Sequence, residues 1–124
     1  MNIIIPPQEY HRYCQRLCLM IPPKTYKYVY GIPRGGLPIA VYIAHYHDIE
    51  IIRWLDIKDC MLDTSKVLIV DDIADTGNTL YLHVNIHNCD TAVLFIKPQS
   101  LFSPTYNVID VDNEPYYLFP YEQK

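Results

Sequence analysis

Three carboxylates, Asp71, Asp72 and Asp75, fall within five positions of one another. They follow the apolar run Val67-Leu-Ile-Val70 and precede Thr76-Gly-Asn-Thr79. The apolar run reads as a buried strand, and the Thr/Gly/Asn segment as the start of a helix. Acids this close repel one another and would weaken a core. At a strand–helix junction they can instead meet sugar hydroxyls or a hydrated divalent cation. Backbone amides at the helix start, with the hydroxyls of Thr76 and Thr79 and the close approach that Gly77 permits, can hold a phosphate. Helix capping by Asp75 or Asn78 accounts for one acid, not for three.

A second segment, Gly31-Ile-Pro-Arg-Gly-Gly-Leu-Pro38, follows a short β-branched and aromatic run, Tyr28-Val-Tyr30. The Arg34 guanidinium can fork onto phosphate, and Gly35 and Gly36 offer bare backbone amides. By itself this could be a plain turn. Paired with the acidic segment, it reads as the second half of a site for a phosphorylated sugar.

The rest of the chain must position these two loops. Helical spacing is predicted over 8–20, ended by Pro22 and Pro23. A second helix is predicted over 37–46; it is apolar almost all round and should be well buried. Strands are expected at 28–30, 49–55, 66–70, 91–96, 107–111 and 116–119, with a helix at 77–87 and a polar connection at 56–65. Such alternation predicts an α/β fold, with a mainly parallel sheet flanked by helices and right-handed crossovers. Ligands of such sheets sit at the C-terminal strand ends, where both loops lie.

With 124 residues, half of them apolar, one domain over 1–124 is expected. The net charge of −4 and the lack of a basic patch argue against nucleic acid as a partner. No apolar run is long enough to span a membrane. The N-terminal segment lacks the pattern of a secretion signal. Four cysteines without framework spacing read as reduced thiols, which points to the cytoplasm. His83 and His87 are four apart but have no evident third ligand for zinc, so ordinary histidines are the better reading.

Both loops resemble those of the type I phosphoribosyltransferases. Asp71 to Thr79 looks like that family's phosphoribosyl pyrophosphate signature, and Pro33-Arg-Gly-Gly36 like its pyrophosphate loop. The likeness is greatest to the bacterial xanthine-guanine (6-oxopurine) branch. It extends through Lys97-Pro98 and Phe119-Pro-Tyr-Glu122. It implies a compact Rossmann-like fold with a base-recognition tail at 97–124. The connection at 56–65 stands where the relatives carry a longer mobile lid, so the lid here is shortened and the tail is short.

By that resemblance Asp71 and Asp72 bind the ribose hydroxyls and the metal-bound substrate, with Mg²⁺ held at Asp72 directly or through water. Asp75 sits near the purine N7 and assists proton transfer. Thr76, Gly77, Asn78 and Thr79 hold the 5′-phosphate, while Arg34, Gly35 and Gly36 contact pyrophosphate. Lys97 donates to the 6-oxo group, Tyr116 stacks on the base, and the backbone of Tyr117 reads the C2 substituent. Position alone also allows Lys97 to be a solvated strand end and Tyr116 a core residue. The partners implied are phosphoribosyl pyrophosphate and a purine base, in a homodimer or homotetramer. The activity implied is transfer of phosphoribosyl to a 6-oxopurine. The alternative is a non-catalytic module that senses phosphoribosyl pyrophosphate or a nucleotide. A receiver domain, suggested by the acid pair and Lys97-Pro98, needs a phospho-acceptor on an intervening strand and more chain after the acids.

Overall fold

The computed structural model describes residues 1–59, 62–81 and 88–123. In chain order its elements are β1 (Asn2–Ile4), α1 (Pro7–Met20), β2 (Tyr28–Gly31), α2 (Gly36–His47), β3 (Glu50–Ile51), α3 (Trp54–Lys58), β4 (Val67–Ala74), β5 (Asp90–Ile96), β6 (Tyr106–Asp110) and β7 (Tyr116–Leu118). Residues 78–81 are helical. Strands β3, β2, β4, β5 and β6 pair in that order, all parallel, and β1 pairs parallel with β7 in a separate sheet.

The central strand explains the layering. Alternate residues of β4 leave opposite faces of the sheet. Leu68 and Val70 pack with α1 and α2 side chains such as Leu17, Ile39 and Ile43. Val67 and Ile69 pack on the other face with Ile57 of α3 and Leu80. A strand covered on both faces must be apolar throughout, as Val67–Val70 is. Pro7 opens α1, where a missing N–H costs nothing, and Pro22 and Pro23 follow its end. Asp48, in the left-handed region at φ 54°, closes α2 through its N–H to the Ala44 carbonyl.

Three expectations are corrected, and one unassigned segment gains a structure. The apolar helix, α2, is buried only on the Ile39, Ala40 and Ile43 side; Leu37, Val41 and Tyr46 are exposed, because a helix laid on a sheet covers one stripe. The strand expected over 49–55 stops at Ile51. There Asp56 captures the Arg53 amide at 2.9 Å and its guanidinium at 3.0 Å, and so starts α3 at Trp54, within the expected strand, from where it runs on into the presumed polar connection. Strand β4 runs on through Ala74, so Asp71 and Asp72 are ladder residues rather than loop residues; Asp71 lies opposite Val93. The N-terminal segment, unassigned from sequence, is a strand that aligns Ile3 with Tyr117. Cys60, His83, His87 and the rest of the helix expected to reach 87 lie outside the described residues.

The β1–β7 pair carries the chain's tail across the main core. Phe119 is 1% exposed. Its ring centroid lies 5.1 Å from that of Phe95 and 5.9 Å from that of Tyr10. Phe95 also meets Tyr13 and Tyr117 edge-on. Phe95→Ala should therefore lower the unfolding free energy by about 3–5 kcal/mol. Urea denaturation measures this, and a loss below about 1 kcal/mol would refute the shared aromatic core.

Candidate active site

Strands β2 and β4 end side by side, with Gly31 opposite Val70. The chain then folds back over the end of β4: Ile32 N–H donates to Val70 O at 2.8 Å, and Gly36 N–H to Ile32 O at 2.8 Å. A Cβ on Gly36 would strike the Val70 carbonyl oxygen. One on Gly35 would strike the Asp72 carboxylate and lie 2.6 Å from the Tyr121 hydroxyl. Two glycines thus let the Arg34 loop lie against the acids. The Pro33–Arg34 peptide is cis.

Asp71 and Asp72 point to opposite sides of β4, into two recesses. Asp72 lines a cavity of about 790 Å³ with Arg34, Gly35, Leu37, Pro38, Val41, Tyr121 and Glu122. Asp71 lines a smaller hollow of about 60 Å³ formed by residues 73–80. Each carboxylate is fixed by the next backbone amide: Asp72 N–H to Asp71 Oδ1 at 2.8 Å, and Ile73 N–H to Asp72 Oδ1 at 2.7 Å. Burial, together with the charge of Asp72, pushes the Asp71 carboxyl up to about 8 from an ordinary 3.8. Burial also raises Asp72, against the pull of its hydrogen bonds, and the charge of Glu122 adds to the rise.

The smaller hollow is the turn predicted to hold phosphate. Gly77 has φ +85°, which favours glycine, and a Cβ there would lie 2.7 Å from Ser100 Oγ. Asn78 N–H bonds Thr76 Oγ1 at 3.3 Å, and Tyr81 N–H bonds Gly77 O at 2.9 Å in the first helical turn. Amides at 76–79 therefore open a helix beside Asp71 and Asp75.

On the far side of this turn, Lys97 is only 7% exposed. Its ammonium lies 3.5 Å from Asp75 Oδ2 and 6.0 Å from the centroid of the Tyr117 ring. The Gln99 carboxamide donates to the other Asp75 oxygen. Lys97 is thus no solvated strand end. Tyr116 is no core residue: it is 56% exposed, and its hydroxyl donates to Glu122 Oε2 at 3.1 Å. Strand alternation turns Tyr117 to the opposite side, against Phe95.

No family model matches the chain. In sequence it is 24% identical, over 134 aligned positions, to the xanthine-guanine phosphoribosyltransferase of Idiomarina loihiensis, a match spanning 93% of this chain and 83% of the relative. In structure it superposes on a purine phosphoribosyltransferase from Pyrococcus horikoshii with a TM-score of 0.80 at 24% identity, covering 99% and 95% of the two chains. The Helicobacter pylori xanthine-guanine-hypoxanthine phosphoribosyltransferase gives 0.79 at 17% identity over 98% and 94%. The fold is that of the purine phosphoribosyltransferases. Within this phosphoribosyltransferase fold every predicted site residue lies at the C-terminal ends of the central strands or on the tail that crosses them.

Three residues near the site escaped prediction. Gln99 reaches Asp75 only because the turn after Lys97 brings it back, with Ser100 N–H on Lys97 O at 3.0 Å. Tyr121 and Glu122 stood inside a tail motif that was noticed but given no role. Its local signal was the pairing of Pro120 with Glu122 in a short 3-10 turn, where Glu122 Oε1 accepts Phe119 N–H at 3.2 Å. Tyr121 donates from that turn to Asp72 Oδ2.

Among the described residues no cluster of three or more His, Cys, Asp or Glu side chains could cage a metal. Asp72, which lines the cavity beside Arg34, nevertheless suits Mg²⁺, which binds one or two carboxylates and completes its shell with water and substrate phosphates.

Because the Asp71 carboxyl titrates higher folded than unfolded, folding favours its neutral form. That contribution is complete below the unfolded value and is lost as the pH rises through the folded one. Asp71→Asn should match the parent's melting temperature at about pH 4 and exceed it by several degrees at about pH 9, at about 4 °C per kcal/mol. Thermal melts at both pH values test this, and equal midpoints at the higher pH would contradict the buried acid.

Proposed function

We propose that this chain transfers the 5-phosphoribosyl group of phosphoribosyl pyrophosphate to a 6-oxopurine (guanine, xanthine or hypoxanthine), giving a nucleoside monophosphate and pyrophosphate in purine salvage. The observation that carries this reading is the buried Lys97 held 3.5 Å from Asp75 beside the acid pair. The 6-oxo group and N7 share one edge of the base. An ammonium and a carboxylate set side by side can meet both.

The reaction breaks the bond from C1′ to pyrophosphate and forms one from C1′ to a ring nitrogen of the base. Positive charge develops on the ribose, and the Asp71 and Asp72 carboxyls, whose charged forms that positive charge favours, oppose it. Asp75 accepts the proton that the base must shed. Arg34 and the amides of Gly35 and Gly36 take the pyrophosphate, while Thr76, Gly77, Asn78 and Thr79 take the 5′-phosphate. A Mg²⁺ ion held at Asp72, directly or through water, would neutralise the leaving pyrophosphate. Adenine is disfavoured, because its amino group would leave Lys97 facing another donor, at about 1–3 kcal/mol. Tyr116 stacks on the base, and the Tyr117 backbone reads the C2 substituent.

No helix among the described residues is long and apolar enough to cross a membrane. Cys14 and Cys18 are buried thiols, which supports work in the reducing cytoplasm. Assembly as a homodimer or homotetramer is part of the same reading.

Incubation with phosphoribosyl pyrophosphate, Mg²⁺ and each purine should yield nucleotide and pyrophosphate with 6-oxopurines and little with adenine. Binding of phosphoribosyl pyrophosphate without product from any base would replace this reading with a sensor. Lys97→Ala should raise KM for the base about tenfold or more while leaving phosphoribosyl pyrophosphate affinity within about twofold. Equal loss of both would reject the role given to Lys97.

A further inference from the structure

Resting on the reading above, we propose that Tyr121 is a donor-binding residue whose hydroxyl passes from Asp72 to an oxygen of the pyrophosphate group when phosphoribosyl pyrophosphate binds. The cavity that would receive this group has a mixed wall, with the Arg34 cation and the Gly35 backbone on one side and the Asp72 and Glu122 carboxylates on the other. An entering anion is drawn by the first pair and repelled by the second. Tyr121 stands between them. Its hydroxyl donates to Asp72 Oδ2 and lies 2.6 Å from the place a Gly35 Cβ would fill. A phenol has one proton to give, and rotation about its C–O bond redirects that proton without moving the backbone. The group that now satisfies Asp72 can therefore turn to the anion and leave the carboxylate to face the ribose and the cation.

The tail is built to hold this ring in place. Tyr121 stacks on Phe119 at a centroid distance of 6.0 Å and an angle of 3°. Phe119 is sealed into the core. One residue further on, the Gln123 carboxamide bonds Ile5 O at 2.9 Å and Leu118 O at 3.2 Å. A ring stacked on the core, in a tail anchored on the residue that follows, keeps its hydroxyl at the mouth of the pyrophosphate loop, so little ordering remains to be done on binding. A plug that swings out would need these anchors broken.

Tyr121→Phe tests the hydroxyl alone, because the stacked ring is kept. Calorimetric titration should show about tenfold weaker binding of phosphoribosyl pyrophosphate with Mg²⁺, and of pyrophosphate with Mg²⁺, than in the parent. KM for phosphoribosyl pyrophosphate should rise in step, with KM for the base unchanged. Equal affinity in the two proteins would overturn the proposal and leave the assigned reaction standing. Tighter binding by the variant would also overturn it, since Tyr121 would then be obstructing the site. A parent that binds no phosphoribosyl pyrophosphate would remove the reaction first, and this role with it.

Discussion

Adjacent carboxylates on a central strand are costly to fold. Asp71 and Asp72 sit where β4 leaves the core, partly out of water; burial disfavours both charged forms, the charge of Asp72 adds to the cost at Asp71, and that of Glu122 adds to it at Asp72. The rest of the site can be read as a response to that cost. Backbone amides of the next residue hold each carboxylate, a tyrosine hydroxyl covers Asp72, and the two acids diverge to opposite faces of the strand. What remains unsatisfied is a need for positive charge and hydroxyl donors, and a metal-bound pentose supplies both. The site is therefore costliest as a structure at the residues to which the proposed substrate binding is assigned.

The parallel sheet makes this arrangement possible. All its described strands run the same way, so the loops that follow β2, β4 and β5 gather at one end. The loop after β2 brings Arg34 and two glycines, β4 brings the acids and the Thr76–Thr79 turn, and β5 delivers Lys97. Close packing between these loops depends on missing side chains: Gly35, Gly36 and Gly77 each occupy a place where one added carbon meets a carboxylate, a carbonyl or a neighbouring loop. Lys97 survives burial because Asp75 and the Tyr117 ring face it.

Much of this was legible in the residues because it depends on local chemistry. An apolar run ending in acids, then Thr-Gly-Asn-Thr, states both a buried strand and a glycine turn that opens a helix. Features that need distant partners were not legible. Nothing in Asn2-Ile-Ile4 predicts pairing with Tyr116–Leu118, and nothing in Gln99 or Tyr121 predicts which acid each will reach. Asp71 and Asp72 looked like loop residues because carboxylates are poor strand formers, yet pairing with β5 carries the strand past them. The apolar surface of α2 signalled burial correctly on one side only, since hydropathy does not say how much of a helix its neighbour will cover.

The parallel union of β1 with β7 also has a consequence for synthesis. Residues 2–4 leave the ribosome early but find no hydrogen-bonding mate until residues 116–118 have followed them out. The ring that caps the Asp72 cavity belongs to that same late segment. The order of residues along the chain thus lets the sheet and the turn at 76–79 form before the cavity over Asp72 is complete. Vectorial folding leaves the acids bare until the tail arrives.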